Sequence, residues 1–433
     1  MTGRLCTLAI AFLLIGSNAQ ATIEIQEFVT PGGASGWLVE DHAIPFAAIE
    51  LRFRGGAAAD PESEIGATHL MMALLEEGAG DLDAVAFRER VESLGARLEF
   101  DTHLESVTVS VQFVTENRDE SLALLRSALH EPRFDEDAVE RVRGQALAVI
   151  ASNLKDPSEI AAMSFRQAMF GDHVYARTVE GDADTVAALD ADALRRAHRR
   201  SLTSDKVVVA AAGDITVEEL AGVVDFLVQD LPAFSQEPIG EASVVSTAVR
   251  EHVDFPSPQS VVVFGHEGIR FRDEEFLTAY VVNEVLGGSG FLARLQQSVR
   301  VERGLTYGIY TGLVTFLEAG IVWGRFASGN ETVDQAIEVV RQEWRRIAED
   351  GLTQKELDDI KLFLIGSYPL RFDGNATIAR ILASMQYFGM PASYVSERNG
   401  MVEALTLEEV NRVAAGLFDP KRLSFVSVGQ QPG

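Results

Sequence analysis

The second half of this 433-residue chain repeats the first. Subtracting 209 carries Gly287 onto Gly78 and Gly304 onto Gly95. Further on, an offset of 218 carries Ile378-Ala379 onto Ile160-Ala161 and Phe388-Gly389 onto Phe170-Gly171. Near the ends an offset of 216 carries Val402, Leu405 and Gly429 onto Val186, Leu189 and Gly213. Single matches arise by chance; an ordered series in which each match sits on the same type of element does not. Such a chain must fold as two like units, each with its own core.

Each half predicts the same order of elements. A strand (47–54; 260–265) leads into a helix (66–76; 275–286), then a second helix and two strands (97–104 with 106–114; 306–314 with 319–327). More helices and a last strand (206–212; 422–429) follow. Strands grouped apart from helices predict an α+β fold built on antiparallel sheet. Residues 233–250, with a proline, a glycine and several serines, read as the link between a first half at 22–232 and a second at 251–433.

Residues 1–21 read as a signal peptide. Arg4 gives the positive start, Leu8 to Ile15 the apolar run, and Ala19-Gln20-Ala21 the small-residue cleavage site. Cys6, the only cysteine, lies ahead of the apolar run, so a mature chain starting at Thr22 has neither a disulfide nor a thiolate metal ligand. The expected location is the periplasm of a Gram-negative bacterium, or the medium. No later run is long and apolar enough to span a bilayer. With 37 basic against 65 acidic residues and a net charge of −28, nucleic acid is excluded as a partner. The 47% of hydrophobic residues suffices for two cores.

Within the second half, Gly287 to Leu313 carries the chemistry. Phe291, Leu292, Leu295 and Val299 recur at helical spacing after the glycines, and Gly304 suits the left-handed residue that ends a helix. Tyr307, Ile309, Thr311 and Leu313 then alternate as in a strand. Arg300 thus falls in a last helical turn, where the helix dipole favours a cation. Tyr307 opens the strand, and a tight turn can aim both side chains at one point. The flanking Gly287-Gly288-Ser289-Gly290 lacks the Lys-Ser/Thr of a phosphate loop and reads as a helix break.

Arg300, Gly304, Leu305 and Tyr307 together resemble the second half of pitrilysin/insulinase-type zinc peptidases, where an Arg and a Tyr seven residues apart flank a Gly-Leu turn. The resemblance covers nearly all of the chain after residue 21. It implies two half-domains of like fold facing each other across a cavity. It also implies that Arg300 and Tyr307 bind the substrate carbonyl and the oxyanion that forms on it. Preorganised donors for such an oxyanion contribute roughly 3–4 kcal/mol each.

The metal half of that machinery is missing. The family places His-x-x-Glu-His on the first helix of the first half: two histidines hold zinc and the glutamate activates water. Here the stretch reads Gly66-Ala-Thr-His69-Leu-Met-Met72-Ala73. His69 keeps the first position, Met72 replaces the glutamate and Ala73 the second histidine. The remaining glutamate ligand that the resemblance implies would fall near Ile150, and residues 146–155 hold no acidic side chain. A lone histidine does not make a catalytic zinc site, which needs three protein ligands. Glu76 and Glu77 read as solvated or capping charges. His42, His103, His130, His173, His198, His252 and His266 form no pair at ligand spacing, and the last two flank a predicted strand.

The duplication sharpens the asymmetry, because Arg300 and Tyr307 map onto Val91 and Leu98, and His69 onto Thr278. The expectation is a chain that binds no zinc and pairs with a homologous subunit bearing His-x-x-Glu-His to cleave peptides. A catalytically inactive scaffold or binding protein is the alternative. Edge strands of the first half could take an extended peptide as an added strand; the sequence does not say which edge is free.

Overall fold

The computed structural model describes residues 23–234, 239–288, 290 and 292–431. The expected signal peptide, part of the link, and Ser289 and Phe291 lie outside the described residues.

Each half is built on one sheet. The first half contributes β1 (Gln26–Val29), β2 (Ser35–Glu40), β3 (Phe46–Arg54), a two-residue hairpin of β4 (Gly78–Ala79) and β5 (Leu82–Asp83), β6 (Arg97–Thr102), β7 (Ser106–Val114) and β8 (Val207–Gly213). The second contributes β9 (Arg250–Asp254), β10 (Gln259–Glu267), β11 (Ile309–Thr315), β12 (Gly320–Gly329) and β13 (Ser424–Gly429). The sheet orders are β1-β2-β8-β3-β7-β6 and β11-β12-β10-β13-β9, and apart from β1 they correspond strand for strand under the repeat. Pairing is antiparallel except that β2 runs parallel to β8 and β9 to β13. The duplication extends to backbone conformation. Gly95 and Gly304 take φ of +60° and +62°, and Gly171 and Gly389 take +55° and +76°.

β10 shows why its sequence is a nearly unbroken apolar run. Val262 and Phe264 face one way, into the second half's own core with Trp344 and Phe425. Val261 and Val263 face the other way, against Ala161, Phe165 and Met169. Those three lie on the helix Pro157–Phe170, which belongs to the first half. The exchange is reciprocal. The helix Asn375–Tyr387 of the second half lays Leu382, Ala383 and Met385 on Trp37 and Ala210 of the first sheet. Strands covered on both faces lose the polar alternation of a half-solvated sheet. The small residues of β8, Val-Val-Val-Ala-Ala-Ala-Gly, leave room for the visiting helix.

Polar contacts fasten the crossover. Asn375 Nδ2 donates to Phe46 O at 3.1 Å and Gln386 Nε2 to Val209 O at 2.7 Å. The Tyr387 hydroxyl donates to Glu105 O at 2.9 Å. The buried Glu105 carboxylate accepts from Leu317 N with both oxygens, at 2.9 and 3.0 Å, and from the Tyr175 hydroxyl. Tyr175 stacks on Phe316 of the other half at 4.4 Å between ring centroids. Beside this junction the halves enclose a cavity of about 450 Å³, lined by Arg54, Glu105 and Lys206 from one side and by Leu317, Glu318 and Tyr387 from the other.

Candidate functional site

Leu295 and Val299 anchor the expected helix after the glycines in the second core, while Leu292 is exposed. The helix is of the π type over Gln296–Val301, its wider turn seen in Glu302 N donating to Gln297 O at 2.9 Å. π-turns of this kind recur at functional sites. Gly304 ends it as expected: at φ +62° its N–H donates to Arg300 O at 2.9 Å, the bond of a left-handed cap. Leu305 is buried behind the cap and bonds back to Val299 O at 3.0 Å. Arg300 sits in the last turn, half-buried and engaged with its surroundings.

Tyr307 is displaced from its expected place. The ladder starts only at Ile309, opposite Phe326, so Tyr307 precedes the strand instead of opening it. The cause is Thr306, whose hydroxyl donates to Gly308 O at 2.9 Å and accepts Gly308 N at 3.2 Å. That closes a local turn in competition with the ladder. Tyr307 projects from the turn and is 88% exposed. β11 is an edge strand of its sheet, as β1 and β6 are of theirs.

The first-half positions are occupied in a different way. The helix Ala67–Ala73 is shorter than the predicted 66–76. Its N-terminus is held by Asp60, whose buried carboxylate accepts from Gly66 N at 3.2 Å, Thr68 N at 3.1 Å and the Thr68 hydroxyl at 2.6 Å, and pairs with Arg200. His69 is half-buried, and burial pushes its pKa below the ordinary histidine value, which favours the neutral ring. Met72 is 1% exposed. It belongs to the same apolar cluster as Ile150, with Ala73 packed against it. The space that a glutamate and two further ligands would need is therefore filled with hydrocarbon. Among the described residues no group of three His, Cys, Asp or Glu could hold a metal. The donors present, one imidazole beside a thioether and two alkyl groups, do not fit zinc.

Glu77 corrects the sequence reading. It is neither solvated nor a helix cap, but 9% exposed and gripped by Arg141 through bonds of 2.8 and 2.7 Å. Arg141 lies on the helix Glu136–Asn153, the element that carries Ile150. The hydrogen bond from Arg141 holds the Glu77 carboxyl below the ordinary range. Glu76 is exposed, as expected. His266 also differs: β10 runs on to Glu267, so His266 lies inside the strand and is fully buried.

The family model described as "Insulinase (Peptidase family M16)" matches residues 37–183, and "Peptidase M16 inactive domain" matches residues 188–364. Among curated proteins, the chain is 28% identical over 401 residues to the "Non-peptidase homolog YmxG" of Helicobacter pylori, covering 90% of this chain and 91% of that one. It is 28% identical over 358 residues to an uncharacterized zinc protease of Streptomyces coelicolor, covering 81% and 77%. Among solved structures, a peptidase M16 inactive domain from Pseudomonas fluorescens superposes with a TM-score of 0.88 at 27% identity, covering 95% of this chain and 98% of that one.

Proposed function

This chain belongs to the insulinase (M16) family of peptidases, and we propose that within it the chain serves as the non-metal subunit of a two-chain zinc peptidase. In this reading Arg300 anchors the carbonyl region of a bound peptide and Tyr307 donates to the developing oxyanion. Zinc and the water-activating glutamate come from a homologous partner that keeps His-x-x-Glu-His. The reading places the pair in the periplasm or outside the cell, after cleavage near Ala21.

One contrast carries it. The Arg-Gly-Leu-Tyr set is retained on a capped turn that leaves the Tyr307 hydroxyl accessible, while the metal positions have become apolar core. A tyrosine kept only for packing would be expected to bury its ring.

The test is co-purification with a homologous chain that carries the intact motif, followed by peptide cleavage and zinc measurement. Activity should require both chains. Tyr307→Phe should lower kcat by roughly 10²-fold, about 3 kcal/mol of oxyanion stabilisation. Full activity in Tyr307→Phe would end this reading. The similarity to a protein named a non-peptidase homolog favours one other reading, an inactive scaffold or binding protein. That reading gains if the two chains associate and no peptide is cut.

A further inference from the structure

The second half contains a cavity that the peptidase reading does not use. It measures about 380 Å³, within the range of small-molecule sites. The helix Phe276–Gly287 forms one wall and the helix Asn375–Tyr387 the other. Much of the lining is apolar, with Phe271 packed against Phe276 at 4.6 Å and Tyr368 edge-on to Phe372 at 5.3 Å.

Into this lining the fold sets polar groups that need a reason to be there. Asn283 is 2% exposed. Its Nδ2 donates to Thr311 O at 3.3 Å, and its Oδ1 has no hydrogen-bond partner among the described residues. A buried acceptor left unpaired costs about 1–3 kcal/mol. Arg398 is 4% exposed, stacked on Tyr368 at 4.5 Å and bonded to Leu364 O at 3.0 Å. Arg371 stands exposed at the rim, near enough to act electrostatically on Glu284 and Tyr280. Burial pushes the Glu284 carboxyl, the one acidic group in the lining, above the ordinary range. Two guanidinium groups against that carboxyl leave the cavity disposed towards an anion.

We propose that this cavity binds an α-carboxylate whose neighbouring side chain is apolar or aromatic: a free amino acid, or the C-terminal residue of a peptide. The carboxylate meets Arg371 at the rim, and the side chain lies among the aromatic rings. The inference does not rest on the peptidase reading, since neither Arg300 nor Tyr307 lines the cavity.

The experiment is calorimetric titration of the purified chain with L-phenylalanine, N-acetyl-L-phenylalanine and L-phenylalaninamide. At least one carboxylate should bind saturably, and the amide should bind about tenfold more weakly or not at all. Arg371→Met removes only an exposed side chain and should cost a similar factor. Ser384→Trp, which fills the cavity, should abolish binding. Equal binding of the acetylated and free compounds assigns the site to peptide C-termini; loss on acetylation assigns it to free amino acids. The proposal is overturned if neither carboxylate saturates by about 10 mM, a range in which even weak sites fill. It is equally overturned if the amide binds as well, or if folded Arg371→Met binds unchanged.

Discussion

Lowering the pH should destabilise this protein through His266, by an amount that follows from its two ring contacts. The Trp344 indole N–H donates to His266 Nε2 at 3.0 Å, and His266 Nδ1–H donates to Glu267 O at 2.6 Å. Both residues are fully buried. Protonation would place a second donor on Nε2, facing the indole N–H, in a fully buried site. Burial accordingly holds the pKa at about 4, against 6.5 for a free histidine. Between those values the unfolded chain binds a proton that the folded chain refuses, so stability rises with pH across the window. The contribution is intact above the unfolded pKa and is lost as pH falls towards the folded one. The full loss is about 3 kcal/mol, of which about 2 kcal/mol has gone by pH 5. Burial lowers the pKa of His69, His103, His130 and His198 as well, so the total pH dependence is a sum. His266→Gln isolates one contributor, because the amide oxygen can still accept from Trp344. Urea denaturation of both proteins at pH 7.5 and pH 5 should show the variant losing about 2 kcal/mol less on acidification. Equal losses would refute the argument that His266 is held neutral.

Other consequences can be measured alongside. Gly304→Ala should cost about 1 kcal/mol, because the residue sits at φ +62° with open space around its Cβ, so only backbone strain is felt; equal stability by denaturant titration would contradict the cap. Arg141→Met leaves the buried Glu77 carboxylate with the more distant Arg88, at 4.0 Å, and should cost about 2 kcal/mol, less than a fully buried pair because the Arg141 side chain is partly exposed. Adding Glu77→Gln should recover part of that loss in the same titration. Met72→Glu together with Ala73→His restores the water-activating glutamate and the second histidine ligand, yet it buries a carboxyl in hydrocarbon. It should destabilise the fold by about 3 kcal/mol without creating peptidase activity. Peptide cleavage by the isolated double variant would show that the metal site is closer to functional than its packing implies.

The repeat, the order of elements and the loss of the zinc ligands could all be read from residues alone. Each rests on local information. Glycines at left-handed positions, apolar periodicity and the identities at His69, Met72 and Ala73 do not depend on what packs where. Other properties required the chain to be folded. The exchange of the helices Pro157–Phe170 and Asn375–Tyr387 between halves depends on which surfaces meet, and a helix's own sequence names no partner. Glu77 and Arg141 lie 64 residues apart, so their pairing was hidden from any local pattern. Tyr307 was placed in the strand by alternation, but the Thr306 hydroxyl captured Gly308 and delayed the ladder. The cavity beside Asn283 draws on distant segments and so was invisible in the sequence. Periodicity along a chain fixes which face of an element is apolar; only three-dimensional packing decides which polar groups are left facing one another, and there the chemistry resides.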